Sequence, residues 1–369
     1  MTASSAKKTV GIAGAGLMGR MMALCLSDAG YQVTLFDSDT RDGHGSCAWV
    51  AGGMLAPFTE LEKAEPIISR LGQDALALWP DILSRLAAPV FFQQAGTLVV
   101  AHRQDMTDLA AFQGTIASRL TDASYDAASM EQVDANRLSQ LEPELVGRFD
   151  RGVFFPGEGQ LEPQDLLPAL AETLLQRGVS WHEQITVSEV TSGRIRCGEQ
   201  VMRFDLAVDT RGLGARDALP LRGVRGEVMR FHAPDVGLHH MVRLMHPRYP
   251  LYIVPRPNDV YLIGATSIES DDVGPVTVRS SLELLSAVYS LHPGFAEAAV
   301  LAQLVGCRPA FSSNLPKIMH EPGLLRINGL YRHGFLISPA LAQTAMGILQ
   351  GQAPCYPEIC EVAHASTHG

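Results

Sequence analysis

Lysine is scarce in this chain, and long apolar runs are missing from it. Only four of the 369 residues are lysine, no basic tract occurs, and the formal net charge is −10. This charge balance gives nucleic-acid binding no electrostatic support. No run approaches the roughly 18 apolar residues that a membrane-spanning helix needs. We therefore expect no nucleic-acid partner and no membrane span.

Cysteine and histidine are present, but without the spacing of a disulfide framework or a metal site. The six cysteines form no CxxC pair, which favours reduced thiols in a cytoplasmic protein. The histidines His232, His239, His240 and His246 match no metal-ligand pattern, so we expect no metal. The polar segment Met1–Lys8 is too short for a signal peptide. These features together predict a cytoplasmic location.

The motifs of several large enzyme classes are also missing. No GxSxG, HExxH or GxxxxGK[ST] occurs, which leaves hydrolase and kinase chemistry without its usual residues. A composition of 46% hydrophobic and 18% charged residues is typical of a globular protein, and 369 residues suffice for two domains. Redox chemistry on a bound cofactor remains open, because the cofactor then carries the reactive atom.

The segment Thr9–Asp37 has the pattern of a complete βαβ unit. An apolar run leads into the GxGxxG of Gly14–Gly19, and apolar residues then recur at the spacing of an amphipathic helix. Gly30 stands where that helix would end, and a second apolar run, Val33–Phe36, closes on the acidic Asp37. This arrangement predicts an adenine-dinucleotide site.

Each residue of this fingerprint has a physical task. Gly14 permits the tight turn after the strand, Gly16 lets the backbone approach a pyrophosphate, and Gly19 lets helix and strand pack closely. The free N–H groups of the helix N-terminus face the phosphates. Asp37, 23 residues after Gly14, can accept hydrogen bonds from a ribose diol. The fingerprint alone does not distinguish NAD from FAD.

Two further segments are rich in small residues. Ser46–Pro57 contains Gly52 and Gly53, and it suits either backbone lying flat against a planar ligand or a tight helix contact. Asp209–Gly214 follows an apolar run and is a second place where backbone could meet a cofactor.

Periodicity and turn residues predict the remaining elements, without a linker or an internal repeat. We expect a hairpin from Val90–Phe92 and Thr97–Val100, a small antiparallel unit between residues 185 and 208, and a loop at Tyr331–Phe335. Helices are predicted at Ala64–Leu86, Gln104–Leu120, Ser129–Leu138, Gln164–Arg177, Val278–Leu291 and Ala340–Leu349.

Five stretches give the chain a family resemblance. They are Ala51–Leu55, Leu251–Arg256, Gly264–Thr266, Gly306–Pro309 and Tyr331–Pro339. Together with GAGLMG and the acid of the fingerprint, they resemble the glycine oxidase (ThiO-type) branch of the D-amino-acid oxidase flavoproteins. They stand in the family's order over about 300 residues, which is far more specific than the fingerprint and indicates FAD rather than NAD.

The resemblance implies an α/β fold, with a Rossmann-like FAD-binding domain and an inserted antiparallel-sheet α+β substrate domain. The FAD-binding domain would comprise residues 6–88, 150–220 and 306–365, and the substrate-binding domain residues 89–149 and 221–305. The implied FAD contacts lie at the phosphate turn, the ribose acid, the flavin-facing segment, the adenine pocket and the last loop. They are Gly14, Gly16, Leu17, Met18, Gly19, Asp37, Ser38, Cys47, Ala48, Gly52, Gly53, Met54, Val187, Leu330, Tyr331, His333, Gly334, Phe335 and Leu336.

The substrate side follows a physical logic, since a guanidinium binds a carboxylate with two charge-assisted hydrogen bonds. Arg308 and Arg332 match the family's carboxylate contacts, and Tyr252 matches a tyrosine that hydrogen-bonds the carboxylate. For Arg256 we expect a surface charge at a strand end. Family members commonly have a histidine at the position of Leu330 and an asparagine at that of His333, and they also differ from this chain at residues 310–316. These departures leave the identity of the substrate open.

The resemblance implies oxidation of a small amino acid or amine. Hydride would leave Cα for flavin N5, water would hydrolyse the imine, and O2 would be reduced to H2O2. Two alternatives keep the flavin. One is an accessory flavoprotein that oxidises a side chain of a partner protein, as in quinone-cofactor maturation, and the other is a flavin dehydrogenase with another electron acceptor.

Overall fold

The βαβ unit at the start of the chain forms as its pattern predicts. Residues Thr9–Ala13 and Gln32–Phe36 are neighbouring parallel strands, and the helix Leu17–Asp28 connects them. Gly30 has φ +83° just after that helix, a conformation that glycine adopts without strain. The computed structural model describes residues 7–122, 129–245 and 251–362.

The elements are numbered in chain order. The helices of the described residues are α1 (Leu17–Asp28), α2 (Cys47–Val50), α3 (Pro66–Ser84), α4 (Met106–Asp122), α5 (Ala135–Leu141), α6 (Pro163–Gln176), α7 (Val278–Leu291) and α8 (Gly334–Leu349). The strands are β1 (Thr9–Ala13), β2 (Gln32–Phe36), β3 (Met54–Leu55), β4 (Phe92–Gln93), β5 (Thr97–Ala101), β6 (Glu131–Val133), β7 (Gly152–Phe155), β8 (Gly159–Leu161), β9 (Ser180–His182), β10 (Glu189–Thr191), β11 (Arg194–Cys197), β12 (Gln200–Arg203), β13 (Leu206–Asp209), β14 (Arg222–His232), β15 (Met241–Met245), β16 (Leu251–Arg256), β17 (Val260–Gly264), β18 (Ala299–Ala310), β19 (Lys317–Glu321), β20 (Leu324–Asn328) and β21 (Cys360–Val362).

A seven-stranded sheet holds the fingerprint at its centre, in the order β21-β19-β20-β13-β1-β2-β9. The strands from β20 to β9 are parallel, and β19 runs antiparallel to β20. Helices α1, α3, α6 and α8 pack together in a large apolar core, where Leu24, Leu71, Leu170 and Leu341 are buried. Helices covering a parallel sheet are the arrangement expected of a doubly wound α/β domain.

An eight-stranded sheet forms the second half of the fold, in the order β18-β14-β17-β16-β15-β5-β7-β6. All its pairs are antiparallel except β15 with β5. One face carries an apolar cluster that includes Met229, Phe231, Ile253 and Leu284, the last from α7. The expected α/β fold with an antiparallel second unit is therefore confirmed.

The predicted hairpin between Val90–Phe92 and Thr97–Val100 is wrong. β4 pairs with β8 in a small three-stranded sheet, whereas β5 pairs with β7 and β15 in the large one. Between β4 and β5 the chain passes from one sheet to the other, and the Gly96 amide in this connection donates to the carbonyl of Glu158 at 2.9 Å. Alternation along the sequence detects strands but does not identify their partners.

One strand pairing, one element type and one helix start also differ from expectation. The last strand of the expected small antiparallel unit, β13, instead pairs in parallel with β1, and β10–β12 alone form the antiparallel unit. The expected helix Ser129–Leu138 is the strand β6 followed by α5. The last helix begins at Gly334 rather than Ala340, so the expected loop continues directly into a helix.

We propose that the chain divides into the two domains stated above, with positions 6, 123–128, 246–250 and 363–365 of that division lying outside the described residues. This division assigns β7 to the FAD-binding domain, although β7 pairs with β5 within the eight-stranded sheet. His246, discussed above, also falls outside the described residues. None of the described helices has the length and the apolar character that crossing a membrane requires.

Replacing Gly19 by alanine should destabilise the protein, whereas the same change at Gly114 should stabilise it. A Cβ at Gly19 would collide with the Gly14 carbonyl oxygen, and such overpacking costs about 1–3 kcal/mol. Gly114 lies exposed in α4 with open space around it, where alanine gains about 0.5–1 kcal/mol in helix propensity. Urea unfolding measures both changes. A shift of both variants in the same direction would contradict this account of Gly19.

Candidate active site

A cavity of about 1050 Å³ brings together residues from both large sheets. All the predicted cofactor residues except Gly19 and Val187 line it, and so do Tyr252, Arg308 and Arg332. The segment Thr210–Gly214, expected as a second backbone contact, lines it as well. The individual roles of these residues remain predictions, but their common location is a property of the fold.

The phosphate turn is built by close backbone contacts. Gly14 has φ +90°, and a Cβ there would lie 2.6 Å from the Thr210 carbonyl oxygen. The Asp37 carboxylate accepts a hydrogen bond from the Ala15 amide and another, at 2.8 Å, from the Asp39 amide. The N-terminus of α1 therefore opens into the cavity beside an acid, which fits the pyrophosphate and ribose of a dinucleotide.

Arg20 is a cavity residue that the sequence analysis missed. Its side chain is buried and donates to the carbonyl oxygens of Ala15 at 2.7 Å, Leu167 at 2.6 Å and Arg41 at 2.9 Å. Burial lowers the pKa of Arg20 to about 10. The guanidinium ties the phosphate turn to α6 and to the loop after β2. Its position directly after the fingerprint carries no signal for this role.

The segment after Ser46 lies along the cavity wall. Residues Cys47–Val50 form the short helix α2, and Gly53 has φ +60° with no room for a Cβ beside the Leu161 carbonyl. Gly52 and Met54 line the cavity on either side of Gly53. Small residues here let the backbone form the wall itself, which fits a flat ring system placed against it.

Arg256 is buried, and the expectation of a surface charge is wrong. It donates to the Gly52 carbonyl at 2.6 Å and to the Leu161 carbonyl at 2.9 Å, and it pairs with Glu162 at 3.1 Å. Burial lowers the pKa of Arg256 to about 10. The side chain extends from the end of β16 to the cavity wall, where it fixes the backbone at Gly52 and Leu161.

Gly19 and Val187 lie outside the cavity lining. Gly19 packs against the Gly14 carbonyl, which agrees with its expected part in helix–strand packing. Val187 is buried, and its carbonyl accepts a hydrogen bond at 3.1 Å from Arg211, which does line the cavity. The expected contact of Val187 with an adenine stays a prediction.

The part of the cavity lined by the residues expected to bind substrate is called the substrate end. Arg308, on β18, donates to the Thr266 carbonyl at 3.2 Å, and its guanidinium lies over Gly226, where a Cβ would not fit. No carboxylate of the described residues pairs with Arg308 within 4.0 Å. Burial and the charge of Arg332 lower the pKa of Arg308. A guanidinium without an acidic neighbour can bind an anion through charge-assisted hydrogen bonds.

Arg332, in contrast, has an acidic partner in Glu60. The Arg332 Nη2 lies 3.1 Å from Glu60 Oε1, and the Tyr252 hydroxyl donates to the same oxygen at 3.4 Å. His333 Nδ1 lies 3.5 Å from the other oxygen. Sequence analysis missed Glu60, because it stands in a polar stretch with a second glutamate two residues later.

The charges at this end follow from burial and pairing. Burial alone would raise the pKa of Glu60, but the charges of Arg332 and Arg243 and the hydrogen bond from Arg332 outweigh it and keep the pKa below its ordinary value. The Glu60 carboxylate raises the pKa of Arg332. Burial lowers the pKa of His333 to about 4 and raises the pKa of Tyr252. Both are neutral at pH 7.

Residues 58–64 form a strap that carries Glu60. Glu158 accepts hydrogen bonds from the amides of Phe58 at 2.8 Å and Thr59 at 2.7 Å. Arg243 donates to the Thr59 carbonyl at 3.1 Å and pairs with Glu62. Glu158 and Arg243 are themselves buried. The strap is therefore held by buried side chains that do not themselves line the cavity.

Comparison with known proteins gives a consistent result. The family model described as FAD dependent oxidoreductase (DAO) matches residues 9–346. A Rhizobium etli protein named as a thiamine biosynthesis oxidoreductase, ThiO, is 42% identical over 330 residues, which cover 89% of this chain and 92% of that protein. Glycine oxidase of Geobacillus kaustophilus is 27% identical over 350 residues, which cover 89% of each chain.

Solved structures show the same fold. Glycine oxidase from Geobacillus kaustophilus has a TM-score of 0.83 at 23% identity and covers 98% of this chain and 100% of that one. Iminodiacetate oxidase from Chelativorans sp. BNC1 has a TM-score of 0.81 at 22% identity and covers 96% and 99%. At these identities the likeness is one of fold alone.

Replacing Glu158 by glutamine should change how stability depends on pH. Burial raises the pKa of Glu158 to about 7, so the folded protein holds this proton more tightly than the unfolded chain does. The resulting stabilisation is present below about pH 4.5 and is lost as the pH rises to about 7. Glutamine retains the acceptor without titrating. The unfolding free energy of Glu158→Gln, relative to wild type, should therefore rise by about 1–3 kcal/mol across this range.

Urea unfolding between pH 4.5 and 8 measures this difference. Glu199→Gln, an exposed site between β11 and β12, serves as the matched control and should follow wild type at every pH. A constant offset between Glu158→Gln and wild type would contradict the raised pKa.

Proposed function

The chain belongs to the family of FAD dependent oxidoreductases, and from this premise we propose that it oxidises a small amino acid or amine in the manner of a glycine oxidase. FAD is its cofactor. We propose that it lies along the cavity, with its ADP half at Gly14–Met18 and Asp37, and its ring system between Gly52–Met54 and the start of α8. The N-terminus of α8 then presents free N–H groups and a positive dipole end to the ring.

One observation carries the proposal. Arg308 places a guanidinium without a carboxylate partner, among the described residues, at the substrate end of the cavity. A substrate carboxylate supplies the missing partner through two charge-assisted hydrogen bonds. Val228, Val254 and Leu262 form an apolar lining nearby, which excludes water and limits the size of the substrate.

The chain's own residues act by binding and orientation. Arg308 holds the carboxylate, the neutral hydroxyl of Tyr252 supplies a hydrogen bond, and the substrate's Cα–H is thereby directed towards the ring. Bound FAD would supply the acceptor for this hydrogen as hydride. O2 would take up the two electrons together with two protons, one from the transferred hydrogen and one released by the substrate amine, to give H2O2. Water hydrolyses the imine product. Placement within roughly 3–3.5 Å accounts for a large part of such a reaction's acceleration, so no protein base is needed.

The context of the reaction is proposed from the relatives. The Rhizobium etli relative is named for thiamine biosynthesis, and we propose the same pathway for this chain. A cytoplasmic location fits the six cysteines, all of which are free thiols.

The test is flavin reduction and H2O2 release with glycine, sarcosine and D-alanine. We expect these amino acids to bleach the flavin anaerobically and to release peroxide when air is admitted. Bleaching that is reversed by an artificial acceptor but not by air would instead identify a dehydrogenase. The absence of bleaching by any free amino acid would refute the proposal and favour a partner protein's side chain as substrate.

Arg308→Ala should raise the KM for carboxylate substrates by about 10- to 100-fold, because charged hydrogen bonds of this kind contribute about 1.5–3 kcal/mol. The variant should retain its yellow FAD, since Arg308 lies at the substrate end. Arg194→Ala, on an exposed part of β11, is the matched control and should retain the wild-type KM. If Arg308→Ala loses its FAD instead, the residue serves the cofactor or the fold.

A further inference from the structure

Three charged side chains converge at the substrate end of the cavity, and they are not equivalent. Arg308 has no acidic partner among the described residues, whereas Arg332 is paired with Glu60 at 3.1 Å. Tyr252 and His333 contact Glu60 and are neutral, since burial raises the pKa of the first and lowers that of the second. The group as a whole therefore carries a single excess positive charge.

The pairing of Arg332 with Glu60 is shielded from solvent. The side chain of Glu60 is 11% exposed and that of Arg332 is 26% exposed. Water and salt screen such a pair weakly. Lys63 also lines the cavity, but it is exposed, so its charge is screened. An incoming ligand therefore meets Arg308 as an available cation and Arg332 as one that is already neutralised.

The backbone around Glu60 is held in place, because hydrogen bonds fix the strap of residues 58–64 both before and after Glu60 in the chain. On one side, Glu158 binds the amides of Phe58 and Thr59. On the other, Arg119 donates to the carbonyls of Leu61 at 2.5 Å and Ala64 at 2.7 Å. A ligand that competes with Glu60 for Arg332 must displace a carboxylate whose backbone is held in place.

We propose that Glu60 is a specificity-determining residue, which restricts the cavity to substrates with one carboxylate by neutralising Arg332. A second carboxylate on the substrate would face the Glu60 carboxylate rather than a free guanidinium. Arg332 is thus a second anion site that Glu60 keeps occupied. This inference rests on the proposed function, because it assumes that Arg308 binds the first carboxylate.

The test compares acetate with malonate, two ligands of the holoenzyme that differ by one carboxylate. Binding is followed by the change in flavin absorption, so turnover is not required. We expect wild type to bind acetate more tightly than malonate. Glu60→Gln should improve malonate binding relative to acetate by about 10- to 100-fold, as expected for a newly available charged hydrogen bond.

Two further variants identify the source of the effect. The double variant Glu60→Gln/Arg332→Gln restores a single excess charge, so its preference should return to that of wild type. Glu65→Gln makes the same chemical change at an exposed position just beyond the strap, and it should leave the preference unaltered. Turnover of glycine and iminodiacetate should follow the same order across the variants.

The outcomes separate the two levels of the argument. An unchanged malonate-to-acetate ratio in Glu60→Gln, or a gain that persists without Arg332, overturns the role of Glu60. If wild type binds neither acetate nor any amino acid, the proposed function fails instead. Should Glu60→Gln not fold, Arg332→Gln tests the same pair: it leaves Glu60 unpaired and should weaken malonate more than acetate, and equal weakening would overturn the inference.

Discussion

The close contact between the start of α1 and the end of β1 is the constraint on which the cavity depends. Gly14 leaves the strand with a positive φ, and Gly19 packs against its carbonyl so tightly that no side chain fits. The hydroxyl of Thr210, directly after the neighbouring strand β13, donates to the Gly14 carbonyl at 2.8 Å and leaves no room for a side chain at position 19. This packing directs the free N–H groups of α1 into the cavity, which segments from both large sheets also line.

Buried arginines hold the irregular segments around this opening. Arg20 binds the Ala15 carbonyl of the phosphate turn, Arg256 the Gly52 carbonyl of the cavity wall, and Arg243 the Thr59 carbonyl of the strap. Backbone that leaves a sheet or helix must find other partners for its polar groups, and a guanidinium offers five donors in a fixed plane. The scarcity of lysine in this chain accords with that use, since an ammonium group cannot bind several carbonyls in one plane.

Local patterns were predictable, whereas long-range pairings were not. The βαβ unit follows from neighbouring residues and forms as expected. Gly14–Met18 and Gly52–Met54, which were singled out for their small residues, both line the cavity. The hairpin failed because β4 and β5 each find partners more than 50 residues away. Arg256 was misjudged for the same reason: its place at the end of β16 is visible in the sequence, but the cavity wall that covers it is not.

The two substrate arginines show the same limit at the level of charge. In the sequence, Arg308 and Arg332 match family motifs equally well, and both were expected to bind a carboxylate. In the fold, an acid from a segment some 270 residues distant neutralises one of them and leaves the other available. Motifs thus identify which residues reach the cavity. The charge that each presents to a ligand is decided by the strap, because its rigid backbone sets which guanidinium the Glu60 carboxylate meets.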